Sequence, residues 1–246
     1  MTARPFLAIR SLAFMLVFYP ASVLLVLVAL ALLPLGRRPM VFLIHFWGRA
    51  HRFLCRVLLG QKVRVEGRLP QGPMLYIFKH ESMFETIDLL CLFDEPVVVA
   101  KQELLDLPGW GLLARRFGMI GLRRTTGASA MRHLQQETRA LEGSPRPICL
   151  FPEGTRVPHG QSPSIRAGFA AMYQLLGRPV VPVAVDSGLV SPRRSFLKKP
   201  GIITYRVGDT IPPGLPRKEA EARVHAAINA LNPPEPAGDG HSARAC

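Results

Sequence analysis

The chain has 246 residues, 48% of them hydrophobic, enough for one substantial domain with a small appendage. Lys and Arg number 31 against 17 Asp and Glu, a net charge of +14, which gives a surface that draws nucleic acid, anionic lipid or an acidic substrate. Cys55, Cys91, Cys149 and Cys246 show no CxxC spacing, which excludes a zinc ribbon and a disulfide framework and points to a reducing compartment.

Residues 11–36 carry no charge and include an unbroken apolar run at 24–33. That exceeds the roughly 20 apolar residues needed to span hydrocarbon, and it is too long for the core of a cleaved signal peptide. Downstream lie Arg37, Arg38, Arg49, Arg52, Arg56, Lys62, Arg64 and Arg68 against Glu66, a bias that places this side in the cytoplasm. Over residues 39–60, His45, Arg49, Arg52 and Arg56 recur at steps of four, three and four, one basic stripe on an otherwise apolar helix. This is the pattern of a helix lying in the membrane interface, and together with the preceding segment it suggests a helical hairpin. The competing reading is an ordinary amphipathic helix packed on the domain.

From Gly60 the chain alternates short apolar runs with helical periodicity, the signature of an α/β domain whose sheet is flanked by helices. Strands are predicted at 62–66, 74–78, 97–100, 119–122, 148–151, 180–185 and 202–207, and helices at 83–93, 109–117, 128–142, 167–176 and 218–231. The chain thus divides into a membrane-anchoring segment at 1–60, a domain at 61–231 and a proline-rich tail at 232–246 whose composition reads as disordered.

The strand at 74–78 delivers His80 to its end, and Glu85 follows five residues later. Five positions on one helix are about 140° apart, so the two side chains meet only if His80 precedes the helix. A helix starting at Ser82 allows this, with Glu85 in its first turn orienting the imidazole. Ser82 and Glu85 also match a capping box, in which Glu85 satisfies a backbone donor. Asp88, one turn on, is the alternative acid. A second polar turn follows the apolar run at 148–151, where Pro152, Glu153, Gly154, Thr155 and Arg156 can hold a hydroxyl or a phosphate. His45, His51, His133, His159, His225 and His241 have no acid motif at a strand end, so surface or interface positions are expected for them. No His, Cys and carboxylate spacing indicates a metal.

In this order the motifs resemble the lysophosphatidic acid acyltransferase family. That family carries a His-x4-Asp motif, here His80 and Glu85, and a Phe-Pro-Glu-Gly-Thr-Arg motif, here Phe151 to Arg156 without a mismatch. Between them a glycine-started segment ends in Arg124, with Arg123 where an acid is common. Lys101 opens a Lys-x-Glu-Leu segment, Ser164 to Gly168 resembles the basic-x-Gly element, and the apolar run at 180–185 is centred on Pro182. The likeness covers about residues 60–210, and its weight lies in the ordered set.

The resemblance implies that His80 acts as general base and Glu85 orients it, while a free glycerol hydroxyl attacks an acyl thioester. The absence of a Gly-x-Ser-x-Gly elbow agrees with direct transfer instead of an acyl-enzyme. Arg123, Arg124, Arg156 and Lys101 would neutralise the phosphate of lysophosphatidic acid, with Gly154 and Thr155 in the same turn. Glu153 would position the glycerol hydroxyl or a phosphate-binding arginine. No cofactor is expected beyond the acyl carrier protein or coenzyme A thioester that serves as co-substrate. The partners implied are membrane lipids and no nucleic acid, at the cytoplasmic face of a bacterial inner membrane. A different acceptor, such as glycerol 3-phosphate or another lysolipid, is the alternative within the class, and a noncatalytic lipid-binding protein the alternative outside it.

Overall fold

The computed structural model describes residues 3–70, 72–122 and 128–233. Arg123, Arg124 and most of the tail lie outside the described residues. The chain opens with α1 (Ala3–Ala31), a 3-10 turn (Leu33–Leu35) and α2 (Arg37–Leu54), which continues into a π turn (Cys55–Leu59). Then come β1 (Gln61–Glu66), β2 (Leu75–Phe78), α3 (Phe84–Leu92), β3 (Val97–Lys101), α4 (Gln102–Leu105), α5 (Trp110–Phe117) and β4 (Ile120–Leu122). They are followed by α6 (Ala128–Arg139), β5 (Ile148–Leu150), α7 (Ala167–Leu176), β6 (Val180–Val185), β7 (Gly201–Val207) and α8 (Arg217–Ile228).

Among the described residues the strands form one sheet in the order β1-β7-β6-β2-β5-β3-β4, parallel throughout except where β6 meets β7. Helices cover both faces, so the central strands β2, β5 and β6 are buried along their whole length and read as unbroken apolar runs instead of alternating ones. Within β2 the pleat still sorts side chains. Tyr76 and Phe78 join the face packed by Phe84, Ile87, Phe14 and Phe18, while Leu75 and Ile77 join the face packed by Phe169, Met172 and Val224. The first 60 residues also contribute to the domain, because Phe14 and Phe18 of α1 complete its core.

The rest of α1 is different. Its apolar window has a mean hydropathy of 2.5 and is 17% buried, with Phe6, Ile9, Leu12, Leu16, Val23, Leu24 and Leu27 exposed. Twenty-nine residues span roughly 43 Å, beyond the roughly 30 Å of a bilayer core. A helix of this length with an open apolar flank associates with membrane. For α2 the packed amphipathic reading holds on one side. It packs on α3, where Arg52 forks onto Asp88 at 2.6 and 2.7 Å and His45 Nδ1 meets the Leu90 carbonyl at 3.0 Å. On its other side Phe42, Phe46 and Phe53 are exposed, beside Arg49 and Arg56. The basic stripe is thus split between a buried carboxylate and solvent.

Candidate active site

The carboxyl ends of β6, β2 and β5, three neighbours in the sheet, deliver the polar groups to one edge, where α/β sheets place their ligands. β2 leads into Lys79 and His80, β5 into the turn from Phe151 to Arg156, and β6 into Asp186 and the 3-10 turn Ser187–Leu189. The two motif segments are stitched directly together. The Val157 amide donates to the His80 carbonyl at 2.7 Å, and the His80 amide donates to Glu153 Oε2 at 2.9 Å.

The His80 ring lies against Phe151, centroids 4.3 Å apart, and its Nδ1 is 2.9 Å from Glu85 Oε1. The same oxygen accepts the amides of Glu81 and Ser82, both at 2.7 Å, while Oε2 accepts the hydroxyls of Ser82 at 2.9 Å and Ser187 at 2.7 Å. Burial alone would raise the Glu85 carboxyl, but the hydrogen bond and charge of His80 and the donors from Ser187 and Ser82 outweigh it and hold the group below its ordinary value. An ionised Glu85 accepts, so Nδ1 carries the proton and Nε2 keeps its lone pair for a substrate proton.

The geometry accommodates both readings of Glu85, since one carboxylate takes the imidazole and a helix-end backbone donor at once. The helix starts later than expected, at Phe84, because the Ser82 hydroxyl accepts from the Phe84 amide and leaves Ser82 itself outside the helix. Asp88 is not the acid of the pair, since its carboxylate is taken up by Arg52.

Glu153, expected to position the glycerol hydroxyl or a phosphate-binding arginine, is paired with a lysine. It is 3% exposed and ion-paired to the fully buried Lys79 at 2.6 Å, so it sets the end of β2 against the turn after β5. Lys79, which no motif singles out, also donates to the Gln161 carbonyl at 2.6 Å and to Asn229 Oδ1 at 2.7 Å. Gly154 has φ +65°, a left-handed conformation open to glycine, and is exposed with Arg156, while Thr155 is half-buried. Lys101 is half-buried at the carboxyl end of β3, on the same edge but beyond β5. Arg123 and Arg124 follow β4, outside the described residues.

His159 is not the surface residue expected from its sequence context. Its Nδ1 lies 3.0 Å from Oε1 of the buried Glu81, whose Oε2 accepts the Gly188 amide at 2.8 Å. His51 is likewise buried, against Phe14, Phe18 and Phe84. Burial, reinforced by Glu85, pushes Glu81 up to about 8, and burial pushes His159 down, so near neutrality a protonated Glu81 donates to a neutral His159. Between the ordinary carboxylate value of 4.5 and about 8 the folded chain keeps this proton while the unfolded chain has released it. Stability accordingly falls as pH rises through that window. Glu81→Gln, which cannot ionise, should unfold at higher denaturant than wild type near pH 8, and the gap should close toward pH 4. Parallel curves at both pH values would show that Glu81 is ionised in the fold.

The acyltransferase family model matches residues 62–186. The chain is 31% identical over 193 residues to the 1-acyl-sn-glycerol-3-phosphate acyltransferase of Pseudomonas aeruginosa, covering 78% of this chain and 72% of that one. It is also 31% identical over 141 residues to the lyso-ornithine lipid O-acyltransferase of Rhizobium meliloti, which takes in 54% of this chain and 47% of that one. The crystal structure of the 1-acyl-sn-glycerophosphate acyltransferase PlsC from Thermotoga maritima superposes with a TM-score of 0.67 over 91% of this chain and 96% of that one, at 24% identity, a likeness of fold. With the His80 pair and the Phe151 to Arg156 turn meeting at one sheet edge inside the matched region, the chain belongs to the acyltransferase family.

Proposed function

We propose that the protein transfers an acyl chain from an acyl thioester to the sn-2 hydroxyl of 1-acyl-sn-glycerol 3-phosphate, giving phosphatidic acid. The observation that carries this reading is the hydrogen bond from His80 Nδ1 to Glu85, which leaves Nε2 as a base at the sheet edge. His80 Nε2 takes the proton of the glycerol hydroxyl as its oxygen attacks the thioester carbon. Collapse of the tetrahedral adduct breaks the carbon–sulfur bond, and the imidazolium returns the proton to the departing thiolate. Glu85, ionised and fully buried, stabilises the imidazolium between these steps.

Arg156 neutralises the acceptor phosphate from the turn after β5, with Lys101, Arg123 and Arg124 as further cations. The donor is an acyl carrier protein or coenzyme A thioester. No cofactor enters the scheme. The exposed apolar flank of α1 and the basic segment after it support a location at the bacterial inner membrane, with the catalytic edge facing the cytoplasm. The test is to supply membranes containing the protein with an acyl thioester and labelled lysolipids. Labelled phosphatidic acid from lysophosphatidic acid is expected; acylation of lyso-ornithine lipid alone would overturn the acceptor and keep the enzyme class.

A further inference from the structure

The segment between the Ser187–Leu189 turn and β7, residues 190–200, carries Arg193, Arg194, Lys198 and Lys199, and the family motifs do not reach it. It is a loop closed at its base. The buried Gln61 amide donates to the Val190 carbonyl at 3.3 Å, Ser191 Oγ at 2.9 Å and the Lys199 carbonyl at 3.0 Å, and the Lys199 amide donates to the Val190 carbonyl at 2.8 Å. Compact loops with clasped ends are frequent binding elements. Inside it Arg194 has φ +57°, a left-handed conformation costly for a side-chain-bearing residue and tolerated where the surroundings enforce it.

Both flanks of the loop lead back to the catalytic pair. On one side the Ser191 amide bonds the carbonyl of Ser187, whose hydroxyl holds Glu85. On the other, Arg193 donates to the carbonyl of Arg156, one residue before the Val157 amide that holds His80. Lys198 is tied from its amide to Ser11 Oγ of α1 at 2.9 Å, and its ammonium meets the Pro192 carbonyl at 3.3 Å. Among the described residues, none of Arg156, Arg193, Arg194, Lys198 and Lys199 forms an ion pair. Burial, and then the nearby Arg156 charge, push Lys198 down from its ordinary value. Cations gathered around the Arg156 turn, with no carboxylate in ion-pair reach among the described residues, leave room for an anion from outside.

We propose that Lys198 and Arg193 join Arg156 to hold the phosphate of the acceptor, so that this clasped loop selects phosphorylated lysolipids over nonphosphorylated ones. The proposal rests on the acyl-transfer reading above for its substrate, but the anion site can be tested apart from it. In full-length protein in neutral detergent, glycerol 3-phosphate should bind the wild type, and Lys198→Gln should weaken it about tenfold or more, the loss expected for one charge-assisted hydrogen bond. Lys198→Arg should restore most of it. In turnover the Lys198→Gln and Arg193→Gln effect should fall on the KM for lysophosphatidic acid, leaving the KM for the acyl donor and for a nonphosphorylated lysolipid in place.

Wild type that binds neither glycerol 3-phosphate nor inorganic phosphate overturns the site, as do variants that bind it like wild type. Equal losses on phosphorylated and nonphosphorylated acceptors also overturn it. So does an effect confined to adhesion on phosphatidylglycerol vesicles, which would make the loop a membrane contact. Wild type that binds glycerol 3-phosphate and acylates no lysophosphatidic acid sinks the substrate reading and leaves the anion site standing.

Discussion

His80→Ala is expected to lower kcat/KM for acyl transfer by about two to four orders of magnitude, the range of a positioned general base. Its side chain is 17% exposed and packs on Phe151, so truncation removes the base together with one of the five donors on the buried Glu85 carboxylate, a smaller cost to folding than losing the carboxylate itself. Measuring turnover with lysophosphatidic acid and an acyl thioester, alongside thermal unfolding, separates the two effects. Turnover within a few-fold of wild type would sink the assigned role. Glu85→Gln should behave differently, because one carboxylate serves His80, Ser82, Ser187 and the Glu81 amide together. Losing its charge weakens the imidazolium and loosens the start of α3 in one step, so activity and stability should fall together.

Lys79→Met is expected to destabilise the fold by about 3–5 kcal/mol, because it leaves Glu153 buried without its counter-ion. For a chain of this size that is roughly 6–20 °C in Tm. The Lys79 ammonium is closed off from water and satisfied by Glu153, the Gln161 carbonyl and Asn229. Burial raises the Glu153 carboxyl, and Lys79 pulls it back down, so without the lysine only His80, chiefly through its amide, is left to offset the penalty. Combining Lys79→Met with Glu153→Gln should recover part of the loss, since the neutral amide still accepts from the His80 N–H and no charge is stranded. A double variant no more stable than Lys79→Met would show that the pair is not where the energy lies. Activity adds a second readout, because slack in this pair shifts the backbone of His80 itself.

Much of the framework was legible in single residues and their spacing. The run predicted at 180–185 is β6, Val180–Val185, and the helix predicted at 167–176 is α7, Ala167–Leu176, because a long apolar run bounded by turn residues leaves few alternatives. The spacing of His80 and Glu85 allowed them to meet only if His80 precedes the helix, and it left a capping role for Glu85 open beside that, whereas the structure brings the two within 2.9 Å. Glu153 was visible as a polar residue after a buried strand, but not its partner, because Lys79 sits 74 positions earlier and no local period links them. His159 looked like a surface histidine for the same reason, its acid lying 78 residues away. Ser187 and Gly188 left a faint signal as small residues after the β6 strand, where polar loops carry function.

By itself the sequence determined the α/β class, the apolar first helix, the basic bias after it and the identity of the His80 and Phe151 to Arg156 motifs. These depend on hydrophobic period and on covalent neighbours, which a linear chain displays. The tertiary structure alone decided that β2 lies between β6 and β5, and with that order which side chains meet. Glu85 acquired Ser187, Glu153 acquired Lys79, and the clasped loop came to rest beside Arg156, because hydrogen bonds and ion pairs form across strand neighbours whose order is set by packing the whole core.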